Sequence, residues 1–280
     1  MKWLVLAVAL ALAGVSSGCG FAKRVIAKDK MNQGVLKYNQ GDNVSAKDYF
    51  KSATEYVPHE AVAWLYYGAT LVKDYKAQQG DEREKTANES LEIFKKALDL
   101  AKGNCELEES AMAYISAIYE DLGNDDAWRE WMVKRAESQC ADKDLQGGVY
   151  HSIAVKYWNC AYEQTTRYAD KQLLTKEPFH YRNLDYEAAR NDKQRIEGCI
   201  SKGMEFVERA LAVDPEKSDV LFYKGLFYRE KQKMTKNEAD RKKFADEADA
   251  IAKKATEISK KKEAEAAAAK EAKAKEAAKT

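Results

Sequence analysis

Apolar and small residues recur along most of the chain at intervals of three and four, and short polar breaks cut that pattern into segments. Tyr49, Phe50 and Ala53 form one such stripe, a spacing that places side chains together on one helix face. Gly41 and Asp42 break the pattern before the stripe, and Pro58 ends it, because proline can neither donate to a helix nor leave its predecessor helical. Helices are therefore predicted near Lys30 to Asn39 and near Ser45 to Val57, with Gly34 and Ala46 small where the two cross. Gly34 recurs as Gly68, thirty-four residues on.

That period, with small residues at crossings and an aromatic filling the gap beside them, resembles the helix-turn-helix unit of tetratricopeptide repeats. Trp64, Tyr67, Gly68 and Leu71 stand close to the family's opening pattern, and Ser90, Phe94, Ala97 and Leu98 mark the returning helix. The resemblance implies an all-α fold, an α-solenoid of about five hairpins over residues 32–258. The third repeat diverges: Ile115, Ala117, Tyr119 and Gly123 fit, but Trp128, Trp131 and Met132 replace smaller residues. Repeat four opens on Tyr150, Ile153, Ala154 and Tyr157 and closes on Gly203, Phe206, Val207, Ala210, Leu211, Asp214 and Pro215. Repeat five shows Leu221, Gly225 and Tyr228, then Ala248, Ala252 and Ala255, and serves as the terminal cap.

Repeats two, four and five are longer than the family unit by about ten, thirty-seven and eleven residues. In repeat two the surplus includes the polar run Gln78 to Arg83, which is expected at a lengthened hairpin tip. In repeat four it spans roughly Glu163 to Gln194 and holds Tyr168, Pro178, Phe179, His180, Tyr181 and Tyr186. Long loops of this kind are mostly functional or disordered, so the stretch from Phe179 to Tyr186 is an alternative site for a small ligand or carbohydrate. After Ser259 the chain is dominated by Ala, Lys and Glu: nine, seven and four of the last 21 residues. This tail, residues 259–280, favours helix but has no apolar face to bury.

The chain start has a different logic. Met1 and Lys2 precede an apolar run from Trp3 to Val15, followed by Ser16, Ser17, Gly18 and Cys19. The run is shorter than the ~20 residues a spanning helix requires, so residues 1–18 read as an export signal. Cys19 after small residues resembles the bacterial lipobox, although Ser16 stands where a large aliphatic residue is usual. The resemblance implies acylation of Cys19, a tether over residues 19–31, and, since Gly20 is not Asp, the outer membrane with the protein facing the periplasm. Cleavage near Ala13 or Ser17 is the alternative, and it gives a soluble periplasmic protein.

Charge and cysteine content narrow the function further. Lys and Arg total 47 against 46 Asp and Glu, a balance without the basic footprint of nucleic-acid binders. No phosphate loop, zinc-protease or serine-hydrolase motif is present, and no metal or other cofactor is expected. Four cysteines besides Cys19 remain. In the hairpin arrangement Cys105 and Cys140 flank repeat three, whereas Cys160 and Cys199 lie on the two helices of repeat four. The hairpins therefore imply disulfides 105–140 and 160–199.

Solenoids of this family carry a concave groove lined by the first helix of each repeat. Register places Tyr38, Asn39, Leu65, Lys73, His151, Trp158, Asn159, Phe222 and Arg229 there. Rings, amides and cations in this combination suit a peptide. The expectation is a non-catalytic scaffold or assembly factor of the cell envelope, binding a partner protein or peptide segment.

Overall fold

In the structure, a computed structural model, residues 2–167 and 190–277 are described, with side chains from residue 20. Ten helices occupy them: α1 (Lys2–Asn39), α2 (Asn43–Tyr56), α3 (Ala61–Ala77), α4 (Gly80–Leu100), α5 (Cys105–Asp121), α6 (Asp125–Ala136), α7 (Lys143–Arg167), α8 (Arg190–Val213), α9 (Ser218–Met234) and α10 (Glu238–Ala277). Consecutive pairs form five hairpins, and no strand occurs among the described residues. The architecture is all-α and of the tetratricopeptide type. Two compact units divide it, residues 1–140 with three hairpins and 141–280 with two.

The turn between α1 and α2 shows how local chemistry sets a hairpin. Gly41 takes φ of 81°, a left-handed conformation that costs glycine little. Its N–H donates to the Tyr38 carbonyl while Asp42 N–H reaches Lys37 O, so the orphan carbonyls of α1 are satisfied. Asp42 then caps α2 by accepting from Ser45 N–H at 3.1 Å. Gly123 and Asn124 repeat the device between α5 and α6, with Asn124 accepting from Ala127 N–H.

Packing in residues 1–140 follows a recurring triple. The Phe50 ring lies over Gly34 and stacks on Tyr66 of the next hairpin, ring centroids 5.1 Å apart. Phe94 lies over Gly68 and stacks on Tyr114 at 4.5 Å. Each phenylalanine is fully buried and links three helices, which is why a glycine stands at the crossing and an aromatic one hairpin on. In residues 141–280 the Phe227 ring of α9 fills the space over Gly203 of α8, so there the ring comes from the following hairpin.

Several expected loops are helix. Only Gln78 and Gln79 separate α3 from α4, and the polar residues Gly80 to Arg83 open α4. The extra residues lengthen both helices, so Arg83 donates to the Asp121 carbonyl at 2.7 Å and the Tyr75 phenol to the Asp121 carboxylate at 2.8 Å. The extended tip thereby satisfies the end of α5, where a cation also meets the negative end of the helix dipole. Likewise only residues 235–237 separate α9 from α10. At the predicted insertion of repeat four, Glu163 to Arg167 end α7 and Arg190 to Gln194 open α8; Tyr168, Pro178, Phe179, His180, Tyr181 and Tyr186 lie outside the described residues. The segment expected to tether the chain continues α1, and its Ala27 is buried with Ala53, Val57 and Ala63. Trp128 and Met132 of the divergent third hairpin are buried, and Trp131 packs on the cluster containing Tyr75, Phe94 and Ile115.

The cysteines pair as the hairpins imply. Cys105 is bonded to Cys140 with Cα atoms 5.1 Å apart, and Cys160 to Cys199 at 6.1 Å.

Candidate functional site

Two aromatic faces stand out, one in each unit. On α7, His151, Trp158 and Tyr162 are spaced by seven and four residues and so share a face. Trp158 stacks on Tyr162 with centroids 4.9 Å apart. Tyr223 of α9 meets Trp158 edge-on at 5.6 Å and His151 at 5.2 Å, and Phe222 lies beside it at 6.1 Å. Tyr162 is 43% exposed and Phe222 52%. Large rings are thus held open to solvent while their neighbours fix them.

Polar chemistry at this face is partly unmet. His151 Nδ1 lies 3.3 Å from Asp219 Oδ2. Burial nevertheless depresses the imidazole pKa, and Lys217 adds to that while Asp219 opposes it. The neutral ring therefore points Nδ1–H at Asp219 and leaves Nε2 an acceptor. Neither His151 Nε2 nor Trp158 Nε1 makes a hydrogen bond within the chain, although both are buried. Such a group costs about 1–3 kcal/mol, a penalty that ordinary core packing would avoid.

Beneath the aromatic face lies a closed ionic network. Glu230 is 1% exposed, and it accepts from Thr165 Oγ1 at 2.7 Å and from Lys233 at 2.6 Å. The two helices that carry the rings are locked together through it. Lys233 Nζ also stands 5.2 Å from the centre of the Tyr162 ring.

In residues 1–140 the corresponding face is a row of tyrosines. Tyr38, Tyr66 and Tyr114 come from α1, α3 and α5. Burial raises the pKa of the Tyr114 phenol, with Tyr38 and Tyr66 adding to the effect through space. Lys73 Nζ sits 3.2 Å above the Tyr38 ring, a cation–π contact that orders both groups. Alongside, Asp74 receives Lys47 at 2.6 Å and the Asn43 amide, clasping α2 to α3.

Of the residues expected in a groove, Tyr38 and Lys73 meet in one unit, and His151, Trp158 and Phe222 surround Tyr223 in the other. Asn39 and Asn159 are exposed. Leu65 is partly buried and packs against the cluster of Tyr75, Leu91 and Phe94, and its neighbour Tyr66 is more exposed. The Arg229 guanidinium bonds Asp249 and Gln232 and ties α9 to α10. Tyr66, Tyr114, Tyr162 and Tyr223 were missed, and the available signal was the aromatic one or two hairpin positions away from each buried Phe or Trp. The side chain of Cys19 lies outside the described ones. Among the described residues no three or more His, Cys, Asp or Glu are grouped to hold a metal ion, and no helix is long and apolar enough to cross a membrane.

Helical hairpins, joined in residues 1–140 by Gly–Phe–Tyr contacts, with aromatic faces on their first helices, give an all-α fold of the tetratricopeptide type. The chain is similar in structure to a MamA protein, with 18% identity, TM-score 0.46, and 85% of this chain and 93% of that one covered. It is similar too to YrrB, described as a TPR protein with an unusual peptide-binding site, at 14% identity and TM-score 0.41, covering 82% and 90%. A TPR repeats protein from Bacteroides fragilis NCTC 9343 shows 16% identity and TM-score 0.44 over 80% and 90%. No protein-family model and no curated protein matches the chain.

Proposed function

We propose that this chain is a protein-interaction scaffold of the bacterial cell envelope, held at the outer membrane through an acylated Cys19 and taking an extended segment of a partner protein on its aromatic faces. The observation that carries the binding reading is the Trp158–Tyr162–Tyr223–Phe222 set: rings fixed by one another, exposed at Tyr162 and Phe222, and backed by the buried Glu230 network. Preordered rings lose little entropy on binding, and aromatic anchors of this kind dominate peptide interfaces. The nearby His151 and Asn159 add an acceptor and an amide of the sort a peptide backbone engages.

The test is photocrosslinking in the producing cell from a photoreactive residue at Phe222, with the captured species identified by mass spectrometry. A specific envelope protein, lost in the Trp158→Ala, Tyr162→Ala double variant while helicity persists, is the expected result. Capture that survives both substitutions refutes the aromatic face as the binding surface. Mass spectrometry of the mature N-terminus decides the anchor: an acylated Cys19 supports it, whereas cleavage at another bond leaves the soluble periplasmic form.

A further inference from the structure

We infer that the outer face of α1 between Phe21 and Ile26 is a second membrane contact, lying in the headgroup region of an anionic bilayer; the inference rests on the envelope reading above. Helix α1 has two unlike sides. One packs on α2 and α3 through Ala27, Met31 and Gly34. The other carries Phe21 and Val25 on adjacent turns, with Leu36 about 16 Å further along the same side beyond the exposed Lys28, Asp29 and Asn32. They are 73%, 53% and 50% exposed, and Ile26 beside them is 38% exposed. A single exposed Phe or Val needs no explanation, but several on one stripe form a patch that does.

Charge identifies what covers it. Lys23, Arg24 and Lys28 are exposed, and Lys30 leans over the Tyr49 ring, against one carboxylate, Asp29. Arg24 and Lys28 follow the stripe along one edge, and the nearby Glu60 lies 3.9 Å from Arg24 with both side chains largely in solvent. An apolar stripe edged by cations is the pattern of helices that lie in a membrane interface, with rings and branched chains at the acyl boundary and ammonium or guanidinium groups on phosphate. Position agrees with chemistry. Phe21 is two residues from Cys19 and Ile26 seven, so a lipid on Cys19 would hold these residues within about 11 Å of the anchor along the helix. Because α2 packs on the opposite side, the body of the first hairpin then stands on the water side, and the angle at which the scaffold leaves the membrane is fixed.

The experiment uses protein isolated from the envelope carrying Val25→Cys labelled with an environment-sensitive fluorophore. A Lys51→Cys sample and the unsubstituted protein, labelled alike, are the references. In vesicles of phosphatidylethanolamine and phosphatidylglycerol, quenching by lipid-borne nitroxides is expected to be about threefold stronger at position 25 than at 51, and to fall by about half in an Arg24→Ser, Lys28→Ser background. The N-terminus is read by mass spectrometry in the same sample. A label at 25 that stays as accessible to water as the one at 51 overturns the inference, even where Cys19 is acylated and the anchor reading stands. Insertion at 25 with an unmodified N-terminus upholds the contact and removes the anchor. Shielding of position 25 that appears without vesicles and grows with protein concentration assigns the stripe to a second copy of the chain and overturns the membrane assignment.

Discussion

Replacing Gly68 by Ala tests the packing principle of the fold, because two effects of opposite sign meet at that position. In a helix interior, Gly→Ala ordinarily stabilises by about 0.8–1 kcal/mol. Here an added Cβ would stand 2.8 Å from Phe94 Cζ and 2.9 Å from Cε1, well inside the ~3.5–4.0 Å of normal carbon contact. The ring has no retreat, since Tyr114 stacks on it with centroids 4.5 Å apart and planes within 9°. Overpacking of this kind costs about 1–3 kcal/mol, so the variant is expected to lose about 1 kcal/mol net. Gly148→Ala in α7 is the control: a Cβ there meets nothing within 4 Å, and a gain of about 0.5–1 kcal/mol is expected. Urea unfolding followed by circular dichroism reads both. Adding Phe94→Leu to Gly68→Ala should recover part of the loss. If Gly68→Ala stabilises as much as Gly148→Ala, the Gly–Phe–Tyr triple does not hold the hairpins together.

Removing the 105–140 disulfide by Cys105→Ser and Cys140→Ser opens a loop with a sequence separation of 35; unfolding should then require about 4 kcal/mol less on the loop-entropy account, measured by the same titration. Glu230→Ala removes the buried carboxylate that accepts from Thr165 and Lys233 and should cost about 1–3 kcal/mol, whereas an unchanged melting temperature would show the network to be idle. His151 gives a pH signature. Its folded pKa lies below the ordinary imidazole value of 6.5, chiefly through burial, so its contribution to stability is complete above that value and declines as pH falls below it toward the folded pKa. The urea midpoint should therefore drop between pH 7.5 and 5.5 by more in the wild type than in His151→Gln, and equal drops would refute the assignment. Trp158→Phe removes a buried indole N–H that has no partner; melting should show little loss, while crosslinking from Phe222 weakens.

Much of the fold was legible because hairpins are written locally. Gly41 with Asp42, Gly123 with Asn124, and Pro58 each mark a turn by a mechanism that works without tertiary context. The disulfide pairing followed from the same hairpins. Loop length was not legible in this way. The surplus in repeats two and five read as loop because the run Gln78 to Arg83 is polar and lacks an apolar stripe, yet a polar residue can extend a helix when its end has something to bond. Arg83 bonds the carbonyl of Asp121, and Lys76 pairs with the Asp121 carboxylate at 3.0 Å. Those partners lie in the next hairpin, which periodicity within one segment does not show.

The same reasoning explains which site residues could be foreseen. Repeat register counts from the crossing of two helices, where Gly34, Gly68 and Gly203 admit a ring. Near that crossing the register places Tyr38 and Trp158 among the rings of the two aromatic faces, and Leu65 packs inward beside the more exposed Tyr66. Toward a lengthened tip the extra turns add contacts that the shorter family unit lacks. Arg229 illustrates this. It sits in the last turns of α9, where α10 begins only a few residues later and brings Asp249 to its guanidinium. Its charge is consumed in joining the hairpin. Braced rings therefore concentrate where the helices cross, and the added length at the tips goes into contacts between neighbouring helices.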